Sequence, residues 1–294
     1  MSEAVALPRP QGILQISRDY LQLSKARIVL MVLITTAAGM LFASPHPGWA
    51  RVVNALVGTA LVAAGTNALN QYVEREHDAK MRRTRLRPLP DGRISPLAAL
   101  IFSSAIAVIG TVYLGLSVNW LTAALGAFTL TSYIFIYTPL KRVSPFCTLI
   151  GAIPGAIPPL MGWTAVTGAL GAGGWILFGI LFFWQLPHFM AISWIYREDY
   201  GRAGFAMLAV RDEKGVATGR EAVIYSVALL SVSVLPYFFH LAGARYLIGS
   251  ALAGLAMLAA SIVFLRARNT RSARRLFMTS NIYLIALMIL LVLH

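Results

Sequence analysis

The sequence is short of charge and nearly devoid of cysteine. Only 12% of its 294 residues are Asp, Glu, Lys or Arg, about half the share in an ordinary soluble domain. The one cysteine, Cys147, excludes a disulfide framework within the chain and a four-cysteine metal site. Acidic residues are the scarcer sign, 11 against 25 Lys and Arg. No Gly-rich phosphate loop ending in Gly-Lys-Ser/Thr occurs, and no His-Glu-x-x-His zinc pair. P-loop hydrolases, zinc peptidases and disulfide-stapled secreted domains are thereby set aside.

Apolar residues fill the space. They make up 58% of the chain, and the mean hydropathy is +0.70. Such a composition excludes a disordered chain, a fibrous chain and a soluble globular enzyme. A spanning helix needs about 20 apolar residues, so there is room for roughly nine or ten. Hydrophobic runs predict nine spans, near 27–45, 52–73, 96–115, 118–138, 146–165, 174–196, 222–240, 246–265 and 276–293. The fold class expected is all-α and polytopic, with a segment 1–26 followed by a single membrane domain, 27–294. The first run follows 26 mixed residues and lacks a small-residue cleavage site, so it reads as a span rather than a signal peptide. Glu3 and Asp19 argue against an acid-poor transit peptide. A bacterial plasma membrane is therefore expected over a mitochondrial one.

A net charge of +14 would suggest nucleic acid in a soluble protein. Its distribution suggests orientation instead. With the N-terminus placed inside, 23 of the 25 basic residues fall in inner segments, and Arg51 and Arg245 alone fall outside. The positive-inside rule then gives an inner N-terminus and an outer C-terminus. All 11 acids also lie at or beside the inner face, which that rule does not explain. Any chemistry is expected to face the cytoplasm.

Four constellations could carry it. Asn70, Glu74 and Asp78 are spaced four apart at the end of the second run and would form one stripe if the helix continues through them. Oxygen ligands of this kind suit Mg²⁺, which commonly takes one or two carboxylates plus substrate phosphates. The plain alternative is a solvated helix end. Lys80, Arg82, Arg83, Arg85 and Arg87 follow at once, and Arg can grip phosphate with two parallel bonds. A positive-inside loop would look the same. Tyr137, Lys141 and Arg142 close the fourth run, either as interfacial anchors or as further phosphate contacts. His188 follows Pro187 inside the sixth run, with Glu198 and Asp199 at its end. A polar group at membrane depth tends to face a cavity, but a lone His is often structural. Aromatics near these sites could favour a carbocation by contacts of about 0.5–2 kcal/mol each. Residues 151–159, rich in Gly and Pro, are expected to bend or open the fifth helix.

In order and spacing, these motifs resemble the UbiA superfamily of intramembrane prenyltransferases, and most closely its haem-farnesylating branch. The resemblance rests on Asn70, Glu74 and Asp78; on Met81 through Leu89; on Tyr137 through Arg142; on Gly151 through Trp163; on Pro187 and His188; and on Asp199 through Leu208. It covers about residues 20–290. It implies a nine-helix bundle around a central cavity with a cytoplasmic-side loop cap. It further implies Mg²⁺ held by Asn70, Glu74, Asp78 and Asp199, and diphosphate held by Arg83, Arg87, Tyr137, Lys141 and Arg142. His188 would contact substrate. The activity implied is transfer of a farnesyl group from farnesyl diphosphate to the vinyl group of haem B, giving haem O within the lipid bilayer. A haem A synthase would be a fitting partner. Gln71 and Glu74 stand where Asp-rich relatives carry Asp, and His188 stands near a usual Asp. This favours the haem branch and leaves the number of Mg²⁺ ions open. Rival readings are a prenyltransferase for a quinone or chlorophyll precursor, a transporter, and a non-enzymatic haem-binding assembly factor.

Overall fold

The computed structural model describes residues 12–293; Glu3, Arg9 and His294 lie outside them. Every regular element among the described residues is helical. Among the described residues nine helices are long and apolar enough to cross a bilayer: Ala26–Ala43, Trp49–Asp78, Pro96–Ser117, Trp120–Leu140, Cys147–Thr167, Ala172–Ile195, Val216–Phe238, Ala244–Ala267 and Thr270–Val292. They are numbered here as spans one to nine. Hydrocarbon offers backbone groups no partner, so an apolar run of this length satisfies itself as a helix. The outward faces keep large apolar residues exposed, among them Leu97, Ile101, Ile248 and Leu252, as a surface solvated by lipid requires. Between spans six and nine the core is closed by Leu177, Ile180, Met257, Phe264, Leu276 and Leu287.

The expected number of spans is met, and three departures bear on function. The second span runs from Trp49 to Asp78 rather than ending near 73. At 30 residues it is about 45 Å long and outruns a hydrocarbon layer of about 30 Å. Its surplus turns carry the carboxylate stripe.

A separate helix, Ile13–Leu23, precedes the first span where the sequence pattern predicted only a mixed segment. It exposes Ile13, Leu14 and Leu21 and buries Asp19 and Leu23. Arg93 Nε donates to Asp19 at 3.1 Å. Gln71 Nε2 donates to the carbonyls of Gln22 and Leu23 at 3.1 and 2.7 Å, capping a helix end whose last carbonyls lack partners within the helix; Gln22 also accepts from Lys25 N at 3.1 Å.

Of the bend or opening expected at residues 151–159, the fifth span does not open. It stays helical from Cys147 to Thr167 with Pro154, Pro158 and Pro159 inside it. Tight packing offsets the ladder bonds those prolines remove. A Cβ at Gly39 would run into the Pro159 carbonyl, and one at Gly162 into the Thr36 carbonyl, so spans one and five meet backbone to backbone. The irregularity lies in the fourth span instead, where Ser132–Tyr137 forms a π turn between Trp120–Thr131 and Thr138–Leu140. The Thr138 hydroxyl donates to the Tyr133 carbonyl at 2.8 Å.

Three loops on one side of the bundle touch one another. Ala206 N donates to the Lys141 carbonyl at 2.7 Å, and Arg82 N to Asp199 Oδ1 at 3.2 Å. His77 Nδ1 is 2.7 Å from the Ala203 carbonyl. Together they form the expected loop cap. The opposite end is tied by Asn119 Nδ2 on the Thr164 carbonyl at 2.9 Å and Arg51 on the Val166 carbonyl at 3.3 Å.

Candidate active site

Because the second span continues to Asp78, Asn70, Glu74 and Asp78 lie along one helix face, and all three are buried. Each meets a cation or a hydroxyl from a different part of the chain. Asn70 Oδ1 accepts from Lys25 Nζ at 2.9 Å, and Asn70 Nδ2 donates to Thr138 Oγ1 at 3.2 Å. Glu74 Oε1 accepts from Lys141 Nζ at 2.8 Å. Asp78 Oδ2 accepts from Arg87 at 2.6 Å. Among the described residues Asp78 Oδ1 is buried with no hydrogen-bond partner, as is Gln71 Oε1 on the same helix, which leaves an unused acceptor in the site.

The π turn sets the geometry of the fourth span's inner end. Such turns often sit at functional sites because they re-aim the residues that follow. Here Thr138 reaches Asn70, and Lys141 lies 4.4 Å from the centre of the Tyr137 ring. Tyr137 packs edge-on to Tyr133 at 5.0 Å. It is seated against Gly151, where a Cβ would collide with the ring. Burial pulls Lys141 down, but the Glu74 carboxylate together with the Tyr137 and Tyr133 hydroxyls outweighs this and holds it well above its ordinary value.

Lys25 is a member of this site that sequence reasoning treated only as an orientation charge. It occupies the left-handed region at φ 52°, which costs a non-glycine residue about 1–3 kcal/mol. The bonds from Gln71 hold the preceding helix end in place, and the turn at Lys25 sends its side chain onto Asn70. Burial, and then the nearby Arg87, push its amino group down to about 7 against the pull of Glu74 and Asp78. No sequence motif marks it. Its position two residues past an amphipathic helix is the available signal.

The other candidates lie around this centre. Arg83 stacks over the Tyr196 ring at 4.9 Å. Arg142 reaches the Val73 carbonyl at 3.4 Å. Asp199 is paired with Arg202 and accepts from the Arg82 backbone, beside a cleft of 240 Å³ lined also by Arg197 and Thr270. His188 is set apart, bonded to Ser280 of the ninth span.

With Lys25 protonated, three cations against two carboxylates leave the stripe with one net positive charge. A buried, partly unpaired cationic site at the mouth of an apolar bundle is suited to a lipid-tailed anion. The model of the UbiA prenyltransferase family matches residues 32–285. The chain belongs to the UbiA prenyltransferase family. As a member it is a membrane-embedded, multi-pass prenyltransferase. It is 45% identical over 277 residues to the protoheme IX farnesyltransferase of Solibacter usitatus (strain Ellin6076), covering 91% of this chain and 95% of that protein. It is 44% identical over 285 residues to the protoheme IX farnesyltransferase of Myxococcus xanthus (strain DK1622), covering 95% of both. The UbiA fold is matched as well. A digeranylgeranylglyceryl phosphate synthase superposes with a TM-score of 0.80 at 20% identity, covering 95% of this chain and 98% of that one. A UbiA homologue from Archaeoglobus fulgidus, bound to GPP and Mg²⁺, superposes with a TM-score of 0.67 at 17% identity, covering 94% and 100%.

Proposed function

We propose that this prenyltransferase transfers the farnesyl group of farnesyl diphosphate to the vinyl group of haem B, giving haem O and diphosphate. The observation that carries the diphosphate chemistry is the buried stripe of Asn70, Glu74 and Asp78 capped by Lys25, Lys141 and Arg87. The acceptor rests on relatives at 41–46% identity that bear the name protoheme IX farnesyltransferase.

The donor set suits Mg²⁺. It is all oxygen, and Asp78 Oδ1 is buried without a partner. Among the described residues no three Asp, Glu, His or Cys side chains converge to hold a metal by themselves, which leaves positions for the phosphate oxygens that Mg²⁺ prefers. Asn70, Glu74 and Asp78 would hold the ion, and Asp199, in the facing loop beside Arg202 and the Arg82 amide, would hold a second one. When bound, Mg²⁺ supplies Lewis-acid stabilisation of the departing diphosphate.

Lys25, Arg87 and Lys141 bind the same oxygens, aided by Arg83, Arg142 and Tyr137. Arg87 and Lys141, and Lys25 when protonated, carry their charges before the reaction, so they stabilise the roughly three negative charges of the leaving group as these develop. The allylic C–O bond breaks and the vinyl carbon of haem attacks the freed carbon. Water then delivers the hydroxyl to the neighbouring carbon and loses a proton. Apolar span faces keep water from the allylic cation until the new bond has formed. The basic loops suit the haem propionates and an anionic lipid surface. In the orientation proposed, the N-terminus and the active site face the bacterial cytoplasm, and a haem A synthase would take the product.

The test incubates purified protein with haem B, farnesyl diphosphate and Mg²⁺ and reads products by mass. Formation of haem O that depends on all three is expected. Transfer only to a quinone precursor would move the protein to another acceptor, and haem binding without diphosphate release would make it a carrier.

A further inference from the structure

His188 sits on the sixth span, away from the carboxylate stripe. Its Nδ1 is 2.8 Å from Ser280 Oγ on the ninth span. The Ser280 hydroxyl has one proton, and that proton goes to the Phe277 carbonyl at 2.7 Å. Ser280 Oγ is therefore the acceptor toward His188, and Nδ1 carries the imidazole hydrogen. Trp184 Nε1 donates to the Ser280 carbonyl at 2.6 Å, clamping the same residue from the sixth span. Asn281 Nδ2 donates to the Phe277 carbonyl at 2.7 Å and braces the acceptor of the Ser280 proton.

This leaves Nε2 as a bare lone pair without a hydrogen-bond partner among the described residues. The ring is fixed between Trp184 and Phe277, with centroids 4.9 and 4.8 Å away, and Phe189 stands at 5.8 Å. The His188 side chain is half-buried, while Ser280 is fully buried. Among the described residues none of its contacts is anionic, so a proton taken up at Nε2 would find no counter-charge there. His188 lies seven residues, about 10 Å of helix, from the cap-side end of its span at Ile195.

We propose that Nε2 of His188 is an axial ligand for the iron of the haem acceptor, and that Ser280 is a positioning residue that fixes the ligating tautomer. This rests on the reading of haem as acceptor. A neutral imidazole whose other N–H is engaged by a neighbour is the form in which histidine ligates metals. Ligation there would anchor the porphyrin inside the bundle and leave its vinyl edge free to meet the allylic carbon. No proton is exchanged in this role, and the iron keeps its oxidation state.

Ferric haem B titrated into the purified full-length protein, with no prenyl diphosphate and no Mg²⁺, tests this by Soret absorbance and electron paramagnetic resonance. Wild type is expected to give a nitrogen-ligated spectrum. His188→Ala should lose it and bind haem about tenfold or more weakly. His188→Met should give a different, thioether-ligated spectrum, which guards against reading misfolding as lost ligation. Ser280→Ala should keep the nitrogen signature while weakening haem binding by about tenfold and raising KM for haem more than it lowers kcat. Identical spectra for wild type, His188→Ala and His188→Met overturn the ligand assignment, and unchanged haem affinity in Ser280→Ala overturns the positioning role. Haem O formation assayed separately keeps the two readings distinct. A His188-dependent spectrum without haem O refutes the transferase reading alone, and haem O formation with an invariant spectrum refutes the ligation alone.

Discussion

Lys141 Nζ lies 2.8 Å from Glu74 Oε1, joining the inner end of the fourth span to the stripe on the second. Both side chains are nearly enclosed, at 12% and 6% exposure. Neither charge can be left alone there without a large desolvation cost. The pair is therefore a fixed element of the site rather than a surface contact, and a bound diphosphate would have to share or displace it.

Lys141→Met removes that cation and leaves Glu74 buried without its partner. Diphosphate release in the presence of farnesyl diphosphate and haem B should fall about 100–1,000-fold in kcat, the usual loss for one preorganised electrostatic contact. A release assay on the purified variant checks it, and loss confined to KM would count against a role in the transition state.

Asp78→Asn keeps the shape of the side chain and removes the charge beside the unpartnered oxygen. The Mg²⁺ concentration needed for half-maximal release should rise by about tenfold or more, since hard cations favour carboxylate oxygen. An unchanged Mg²⁺ dependence would remove Asp78 from the metal site.

Lys25 supplies a pH dependence. With its amino group pushed down to about 7 by burial and Arg87, its charge is present below neutrality and fades as the pH climbs above it. Affinity of the metal-free protein for inorganic diphosphate should accordingly fall between pH 6 and pH 8, by about tenfold if one cation is lost. Lys25→Arg keeps its charge throughout this range and should flatten the profile. Calorimetric titration at several pH values reads both.

Gly39→Ala should lower the thermal midpoint, because the new methyl meets the Pro159 backbone carbonyl, which cannot swing aside. The expected cost is about 1–3 kcal/mol, as for other overpacked interiors. Gly243→Ala, where a Cβ meets nothing within 4 Å, is the matched control in a detergent melting experiment.

Much of this protein is legible before any coordinates are known. Lipid fixes backbone conformation so strictly that apolar runs alone predict nine spans, and the four-residue spacing of Asn70, Glu74 and Asp78 places them on one face once the helix is long enough. The span ends were harder to read, because a helix that leaves the hydrocarbon becomes polar exactly where its functional turns begin. Gly and Pro at 151–159 misled in the opposite direction. Local propensity favours a break there, but close packing against Gly39 and Thr36 keeps the helix whole.

By itself the sequence determined that the chain crosses a membrane, which end of the bundle carries the charge, and which acids and bases could serve a prenyl diphosphate. Composition and periodicity suffice for this, since each is set by neighbours along the chain. Tertiary structure decided the partners: Lys25 on Asn70, Lys141 on Glu74, Arg87 on Asp78, and Ser280 on His188. Those pairs bring together residues up to 92 positions apart. Only the folded chain sets their separation, because each pair depends on where a turn, a π segment or a neighbouring span delivers the second side chain.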